Sequence, residues 1–479
     1  MFPYSRRRFV KNASTLLACS PLPSFFFEQR KMETAYDVTI FGAGASGLYT
    51  AHRLRELGYS VLILESSSRV GGHSETYRDE KGHHVDPGVR MYPNEDLIKE
   101  LLSKYDITFS NFSLRGGKQV LVDFNTNRLS YSSAPSKLGV FSGIQKFLRL
   151  YESKFSFLEE PGFVLPSSVP ADLLMPFSKF LEKYRISNRL APMVNYLQGF
   201  GNVANMTTLY ALKNLKPVIL NNAKKDSFIA PDLGVEELYK RIGKSFGNDL
   251  KMGVKTQSVV RNGDAVNITF TDQSGEQINV VSKYAFISFP PLLKNFKAFD
   301  LSEEEKGHFA KFHYSKYYTS LIQTETLPKG NYYSAHGEKG FLFAVKEPLP
   351  YVIADTNVPG VANVLFGMEA SFHLSDEEIK RRIKRHMKET SANLYGESWA
   401  LNDFVLFKNH SPYALKVSPA DIANGFYTKM DELQGKKGLY YIGAAMDTHG
   451  TFSVWSHAER LIRANFPGKV KKGILINNG

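Results

Sequence analysis

Apolar residues along this chain fall into short runs of two periods. Tyr36-Asp37-Val38-Thr39-Ile40-Phe41 and Ser60-Val61-Leu62-Ile63-Leu64 have the length of buried strands, and between them Leu48, Ala51, Leu54 and Leu57 repeat at helical spacing before Gly58 ends the run. Residues 254–260 and 265–270 read as two strands joined at Asn262-Gly263-Asp264, and 284–289 as a buried strand stopped by Pro290-Pro291. Residues 438–447 give one more strand, and 454–462 an amphipathic stretch. Ser375 and Glu378 form a capping box for a helix whose Ile379, Ile383 and Met387 make the buried stripe. The order strand, helix, strand near the start predicts an α/β fold with a parallel sheet. No window offers the roughly 18 consecutive apolar residues of a spanning helix.

Composition keeps this picture globular. A 43% hydrophobic, 22% charged chain is neither disordered nor fibrous, and 479 residues exceed what one core holds, so two domains are expected. The single cysteine, Cys19, excludes an internal disulfide and centres built from several thiolates. His83, His84 and Asp86 adjoin in an extended stretch where neighbours point opposite ways, so no metal site is expected.

The formal charge of +13 has two sources. Residues 1–35 carry six basic and two acidic residues, and Ser5-Arg6-Arg7-Arg8-Phe9-Val10-Lys11 followed by a weakly apolar stretch reads as a twin-arginine export signal. The densest remaining block, Lys380 to His386, lies on the polar face of the capped helix without interleaved aromatics; a solvated surface is expected there and no nucleic-acid partner.

The strongest chemical signal joins the first two strands. Gly42-Ala43-Gly44-Ala45-Ser46-Gly47 leaves the first strand and opens the helix, and the second strand ends on Glu65. This is the full dinucleotide fingerprint: Gly42 for the tight turn, Gly44 for close approach of the backbone to a diphosphate, Gly47 for helix–strand packing, and Glu65 for the ribose hydroxyls. The helix N-terminus adds oriented N–H groups and partial positive charge.

The segment Glu65-Ser66-Ser67-Ser68-Arg69-Val70-Gly71-Gly72 resembles the second-glycine signature of FAD enzymes of the glutathione-reductase and amine-oxidase type. Gly438 to Asp447, with Gly450 beyond, is similar to the C-terminal segment of the same enzymes. After residue 35 the chain therefore resembles the flavin-containing amine oxidase superfamily. Within it, Leu174 to Leu181, Gly199-Phe200-Gly201, Tyr210 to Leu215 and the stretch from Gly425-Phe426-Tyr427 to Tyr441-Ile442-Gly443 are similar to polyenoic fatty acid (linoleate) isomerases.

The resemblance implies bound FAD, held by Gly42, Gly44, Ser46, Gly47, Glu65, Ser66, Arg69, Gly71, Gly72, Arg90, Met91, Tyr92, Val254, Gly443, Ala444 and Phe452. At Ala444 relatives usually carry Glu or Asp. It implies a Rossmann-like FAD-binding domain of residues 36–110, 230–300 and 430–467, and a mixed sheet-and-helix substrate domain of 111–229 and 301–429. The catalytic candidates are Lys316, Arg115 and Phe200, with Thr319 or Ser320 in register with the lysine that amine oxidases place near the flavin. Met175, Phe177, Phe180, Met193, Tyr196 and Leu197 are further candidates for an apolar lining.

The implied function is FAD-dependent hydride transfer from a C–H of a small lipophilic substrate, including double-bond isomerisation of a polyunsaturated fatty acid. Two alternatives stay open: an amine oxidase producing peroxide, and a non-catalytic FAD-binding protein. Export by the twin-arginine route to the periplasm or cell envelope is expected, with cytoplasmic residence the alternative and peripheral or lipid-anchored membrane association open. Oligomeric state is left undetermined.

Overall fold

The apolar run Val61–Leu64 is buried along its whole length because it lies inside a sheet covered on both faces, the condition under which a strand needs no polar alternation. It pairs in parallel with Thr34–Phe41 (Val38 opposite Val61, Phe41 opposite Leu64), and the helix Ala45–Glu56 makes the crossover between them. The computed structural model describes residues 34–114, 119–123, 128–129, 137–186, 190, 196–325, 330–334 and 348–469.

Seven strands form this first sheet. In spatial order they are Lys255–Asn262, Ala265–Thr271, Gln277–Ile287, Thr34–Phe41, Val61–Leu64 and Leu250–Lys251, with Leu439–Tyr441 pairing in parallel with the end of Gln277–Ile287. The first three make the antiparallel meander expected around the Asn262-Gly263-Asp264 turn. The helix Thr451–Asn465 packs on Ala45–Glu56, where Trp455 stacks on Tyr49 and its indole N–H donates to the Ala45 carbonyl at 3.0 Å.

A second, eight-stranded mixed sheet runs Leu401–Asn409, His313–Thr324, Val361–Glu369, Pro350–Asp355, Asn331–Ser334, Gln119–Asp123 and Arg128–Leu129, with Tyr413–Lys416 also paired to His313–Thr324. The helix Asp376–Tyr395 covers it with Ile379, Ile383 and Met387, all at 0% exposure as the periodicity predicts. Its capping box is half formed: the Ser375 side chain accepts the Glu378 N–H, but the Glu378 carboxylate turns to Arg381 and Arg382. A full box occurs instead at Ser302–Glu305. Asn363 ties the second sheet to the first region by donating to the Pro87 carbonyl at 3.0 Å.

Two features of this scaffold are directly testable. A Cβ built on Gly47 would lie 2.0 Å from the Gly42 carbonyl oxygen, so Gly47→Ala must force the glycine loop off the helix; a loss of about 3 kcal/mol or more in denaturant unfolding is expected. Buried Glu305 accepts two hydrogen bonds from Arg261, at 2.7 and 2.9 Å. Burial alone would raise its pKa, but Arg261 and the Ser302 backbone outweigh it and hold the carboxyl at about 2, against an ordinary 4.5. The stabilisation, roughly 3 kcal/mol, is thus fully present above pH 4.5 and lost as pH falls toward 2. Acid titration of thermal stability should show that loss in the wild type and not in Glu305→Gln.

Candidate functional site

Two glycine turns meet back to back at the end of the first strand. Gly42, with φ +104°, donates its N–H to the Leu64 carbonyl at 2.8 Å, and Gly71, with φ +98°, donates to the Ala43 carbonyl at 2.8 Å. A Cβ on Gly71 would stand 2.7 Å from the Ser74 carbonyl oxygen, so no side chain fits there. On Gly44 a Cβ would meet only the Gly72 Cα, at 3.9 Å, which is ordinary contact. Protein packing therefore does not demand glycine at 44, and the bare backbone there leaves room for a ligand to lie against it. Gly44 caps the helix Ala45–Glu56 without a side-chain hydrogen bond, leaving the first-turn N–H groups free for an anion.

The surrounding residues fix this cradle. Glu65 sits at its edge, accepting from the Ala43 N–H at 2.6 Å, from the N–H and hydroxyl of Ser67 at 2.8 Å each, and from the Ser66 hydroxyl at 3.4 Å. The Val254 N–H donates to the Glu65 carbonyl at 3.0 Å, which holds the strand end in place. Arg69 spends its guanidinium on the carbonyls of Val70, Gly72 and Ser74, bracing the second turn from outside. From the far end of the chain Gly443, with φ +95°, closes over the loop: a Cβ there would come within 3.3 Å of the hydroxyl of buried Ser46. Ala444 and Phe452 follow, both half-buried, and Gly450 caps the helix Thr451–Asn465 with no side-chain bond.

Residues 86–92 line the next stretch of wall. The backbones of Tyr92 and Ile229 exchange hydrogen bonds at 2.8 and 2.9 Å, and Arg90 and Met91 are half-buried beside them. One polar atom here, Arg90 Nη2, is buried without a hydrogen-bond partner among the described residues, while the hydroxyls of Tyr92 and Tyr239 face each other in the core. Tyr239 packs against Gly71, with its ring 3.6 Å from where a Cβ would stand. An orphaned guanidinium nitrogen next to a glycine cradle, two uncapped helix N-termini and a carboxylate fit a dinucleotide with a diphosphate bridge.

Beside Ala444 opens a small cavity walled by Phe200, Met206, Tyr210 and Leu415, with Lys416, Thr448 and His449 among its polar groups. Aromatic rings crowd its rim: Tyr413 lies 3.8 Å from His449, 4.5 Å from Tyr317 and 5.4 Å from Phe200, centroid to centroid. His73, directly after the double glycine, stacks parallel to His449 at 6.1 Å and tilts against His410 at 4.6 Å. The three imidazoles have different duties. His449 Nε2 accepts the Ala414 N–H at 2.8 Å, which fixes its proton on Nδ1. His410 Nε2 shares a hydrogen bond of 3.0 Å with the buried Thr319 hydroxyl. His73 has no hydrogen-bond partner among the described residues, and its ring stays open to solvent although protein surrounds it. Burial, reinforced by Arg69, lowers the His73 pKa to about 4; burial and neighbouring His73 hold His410 and His449 well below the usual value. All three are neutral at pH 7.

The catalytic candidates are dispersed by this geometry. Phe200 stands in the cavity wall, its carbonyl accepting from the Ser315 hydroxyl at 2.7 Å. Lys316 does not join it: strand alternation turns its side chain away from Ser315, Tyr317 and Thr319, and its ammonium donates to the Phe372 carbonyl at 2.9 Å. Thr319, one of the two residues in register with the amine-oxidase lysine, faces Gly88, whose Cβ would lie 3.6 Å from its methyl group. Arg115 and Met193 lie outside the described residues, as does the side chain of Tyr196. Phe177, Phe180 and Leu197 are fully buried core rather than lining; Phe177 and Phe180 pack on each other and Phe180 on Phe155. Sequence reasoning missed His73, His410, His449 and Tyr413, which are spread over the chain with no motif of their own. Only the position of His73 beside Gly71-Gly72 was a usable signal.

Comparison with known proteins agrees with this construction. The family model for flavin containing amine oxidoreductase matches residues 45–454. Beta-cyclopiazonate dehydrogenase of Aspergillus flavus is 28% identical over 432 residues, covering 89% of this chain and 92% of that protein. An FAD-dependent oxidoreductase of Apiospora sacchari, dpasF, is 28% identical over 442 residues, with 89% and 92% covered. Among solved structures, the CLA-producing fatty acid isomerase from P. acnes superposes with a TM-score of 0.76 at 19% identity, covering 90% of this chain and 99% of that one. Wild-type putrescine oxidase bound to putrescine reaches 0.62 at 17% identity, covering 90% and 98%. The match of fold and family model to a cradle built for a dinucleotide makes this chain a member of the flavin containing amine oxidoreductase family, an FAD-dependent oxidoreductase.

Proposed function

We propose that the protein dehydrogenates a small lipophilic substrate held in the cavity beside Phe200 and Tyr413. Bound FAD supplies the hydride acceptor. Removing hydride from a C–H next to an X–H group leaves one proton to be taken up, whereas moving a double bond by returning the hydride to another carbon leaves none. The observation that carries the reading is His73, a neutral imidazole without a hydrogen-bond partner among the described residues, stacked on cavity-lining His449. His449, locked as an Nδ1–H donor, orients a substrate acceptor; His410 is engaged with Thr319; His73 alone of the three is free to take the proton.

The same reading assigns 36–110, 230–300 and 430–467 to the cofactor and 111–229 and 301–429 to the substrate. It is supported by strand membership, since residues 36–441 of the seven-stranded sheet fall in the first set and the eight-stranded sheet in the second. No helix among the described residues is long and apolar enough to cross a membrane. Residues 1–35, with their twin arginines, are proposed to direct export of the folded protein.

Purified protein should be yellow and release FAD on denaturation. Gly44→Val should fold like the wild type yet retain less than about one tenth of the flavin, because within the protein a Cβ there meets only the Gly72 Cα, at an ordinary 3.9 Å. Anaerobic mixing with cyclopiazonate, putrescine and linoleate then separates the chemistries: bleaching identifies a dehydrogenated substrate, and a conjugated diene without bleaching would replace this reading by isomerisation. With a bleaching substrate, His73→Asn should slow flavin reduction about 100-fold. Since His73 accepts only when neutral, the wild-type rate should fall as pH drops through its pKa, about 4 before cofactor charge raises it, and the variant should lose that limb. Lys316→Met should leave the rate unchanged.

A further inference from the structure

Behind the turn that joins the last strand to the last helix lie three charged side chains cut off from solvent. Lys216 donates to both oxygens of the Asp447 carboxylate, at 3.1 and 2.9 Å, and Lys213 stands 3.4 Å from the same group. The side chains of Lys213 and Asp447 are 0% exposed and that of Lys216 6%. The Gly162 N–H completes the carboxylate's shell at 2.9 Å, while Lys213 also donates to the carbonyls of Leu158, Glu160 and Gly162. Burial pulls the Lys213 pKa down to about 7, while Asp447 and the four acceptors around its Nζ favour the charged form. With Lys213 protonated, two ammonium groups face one carboxylate. Other groups facing it are Tyr151 and His457, both held neutral by burial. One positive charge is then left over.

Burying an uncompensated charge is costly, and such charges persist where another group completes them. Asp447 points its carboxylate inward, but its backbone lines the cavity together with Ala444, Thr448 and His449. The surplus charge therefore acts across one thickness of backbone on the end of the site where the cofactor segment Gly443-Ala444 meets the cavity, with little solvent to screen it.

We propose that the surplus charge of Lys213, Asp447 and Lys216 raises the reduction potential of bound FAD, since a flavin gains negative charge as it accepts hydride and the buried cation stabilises that charge. The three side chains are positioning and tuning residues; none needs to touch substrate.

The test needs no substrate. The midpoint potential of the holoenzyme is read by reductive titration against a redox dye, and flavin electrophilicity by the dissociation constant of inorganic sulfite, which bleaches electron-poor flavins. Lys216→Met, which cancels the surplus, should lower the potential and weaken sulfite binding about tenfold. Asp447→Asn, which enlarges it, should shift both in the opposite direction, and Lys216→Arg should match the wild type. A purely structural cluster would not give shifts of opposite sign. Lys216→Gln, which keeps a donor to Asp447 and removes only the charge, serves if the methionine variant does not fold. Variants that hold full FAD and show no shift, or shifts of one sign, would overturn the proposal. A wild-type protein without FAD would overturn the cofactor assignment instead, and is seen before any variant is made.

Discussion

A helix start and a strand end can approach closely only if both lack side chains at the point of contact, and here the Gly42 carbonyl lies where any Cβ on residue 47 would be. That approach sets the direction in which the helix Ala45–Glu56 leaves the first sheet, and with it the aim of its free N–H groups. The second turn, Gly71-Gly72, is hung on the first by the Gly71-to-Ala43 hydrogen bond, and Arg69 braces it. His73 follows at once and inherits its place from that turn. The cradle, the neutral imidazole and the cavity rim are thus consequences of one steric fact, transmitted through a few residues of backbone.

The chain's charged groups divide the labour with this rigid backbone. Pairs such as Arg261–Glu305 and Lys216–Asp447 are sealed in and spend their charge on each other or on nearby carbonyls. Around the cavity, tyrosines, a threonine and histidines held neutral by burial predominate, and its one lining ammonium, Lys416, is paired with Glu369 at 3.1 Å. Lys316 takes no part in this arrangement, since its ammonium lies on the other side of its strand, on the Phe372 carbonyl.

Legibility in the sequence followed the range of the interactions. The glycine loop, its helix, Glu65, the double glycine and the meander around Asn262-Gly263-Asp264 could be read directly, because each depends on residues a few positions apart. The helix at Ser375 was legible to the same degree, except that Glu378 prefers its arginines to the cap. The active cavity was not. His73, His410 and His449 meet only because two sheets bring three distant segments together, and no local pattern encodes that. Phe177 and Phe180 have the same periodicity whether they line a cavity or fill a core, so the pattern could not decide between them. Lys216 and Asp447, joined by a hydrogen bond, stand 231 residues apart, and nothing in either stretch announces the other.

The pairing of Leu439–Tyr441 with Ala285–Ile287 has a consequence for how the protein is made. A ribosome delivers the glycine loop about 400 residues before the strand that roofs it, with the second sheet emerging in between. Until Gly443 is made, the cradle is open on one side and Ser46 uncovered. Contacts between such distant segments form slowly. Closing the cradle and completing this sheet are therefore one event, and the site cannot be finished before the fold is.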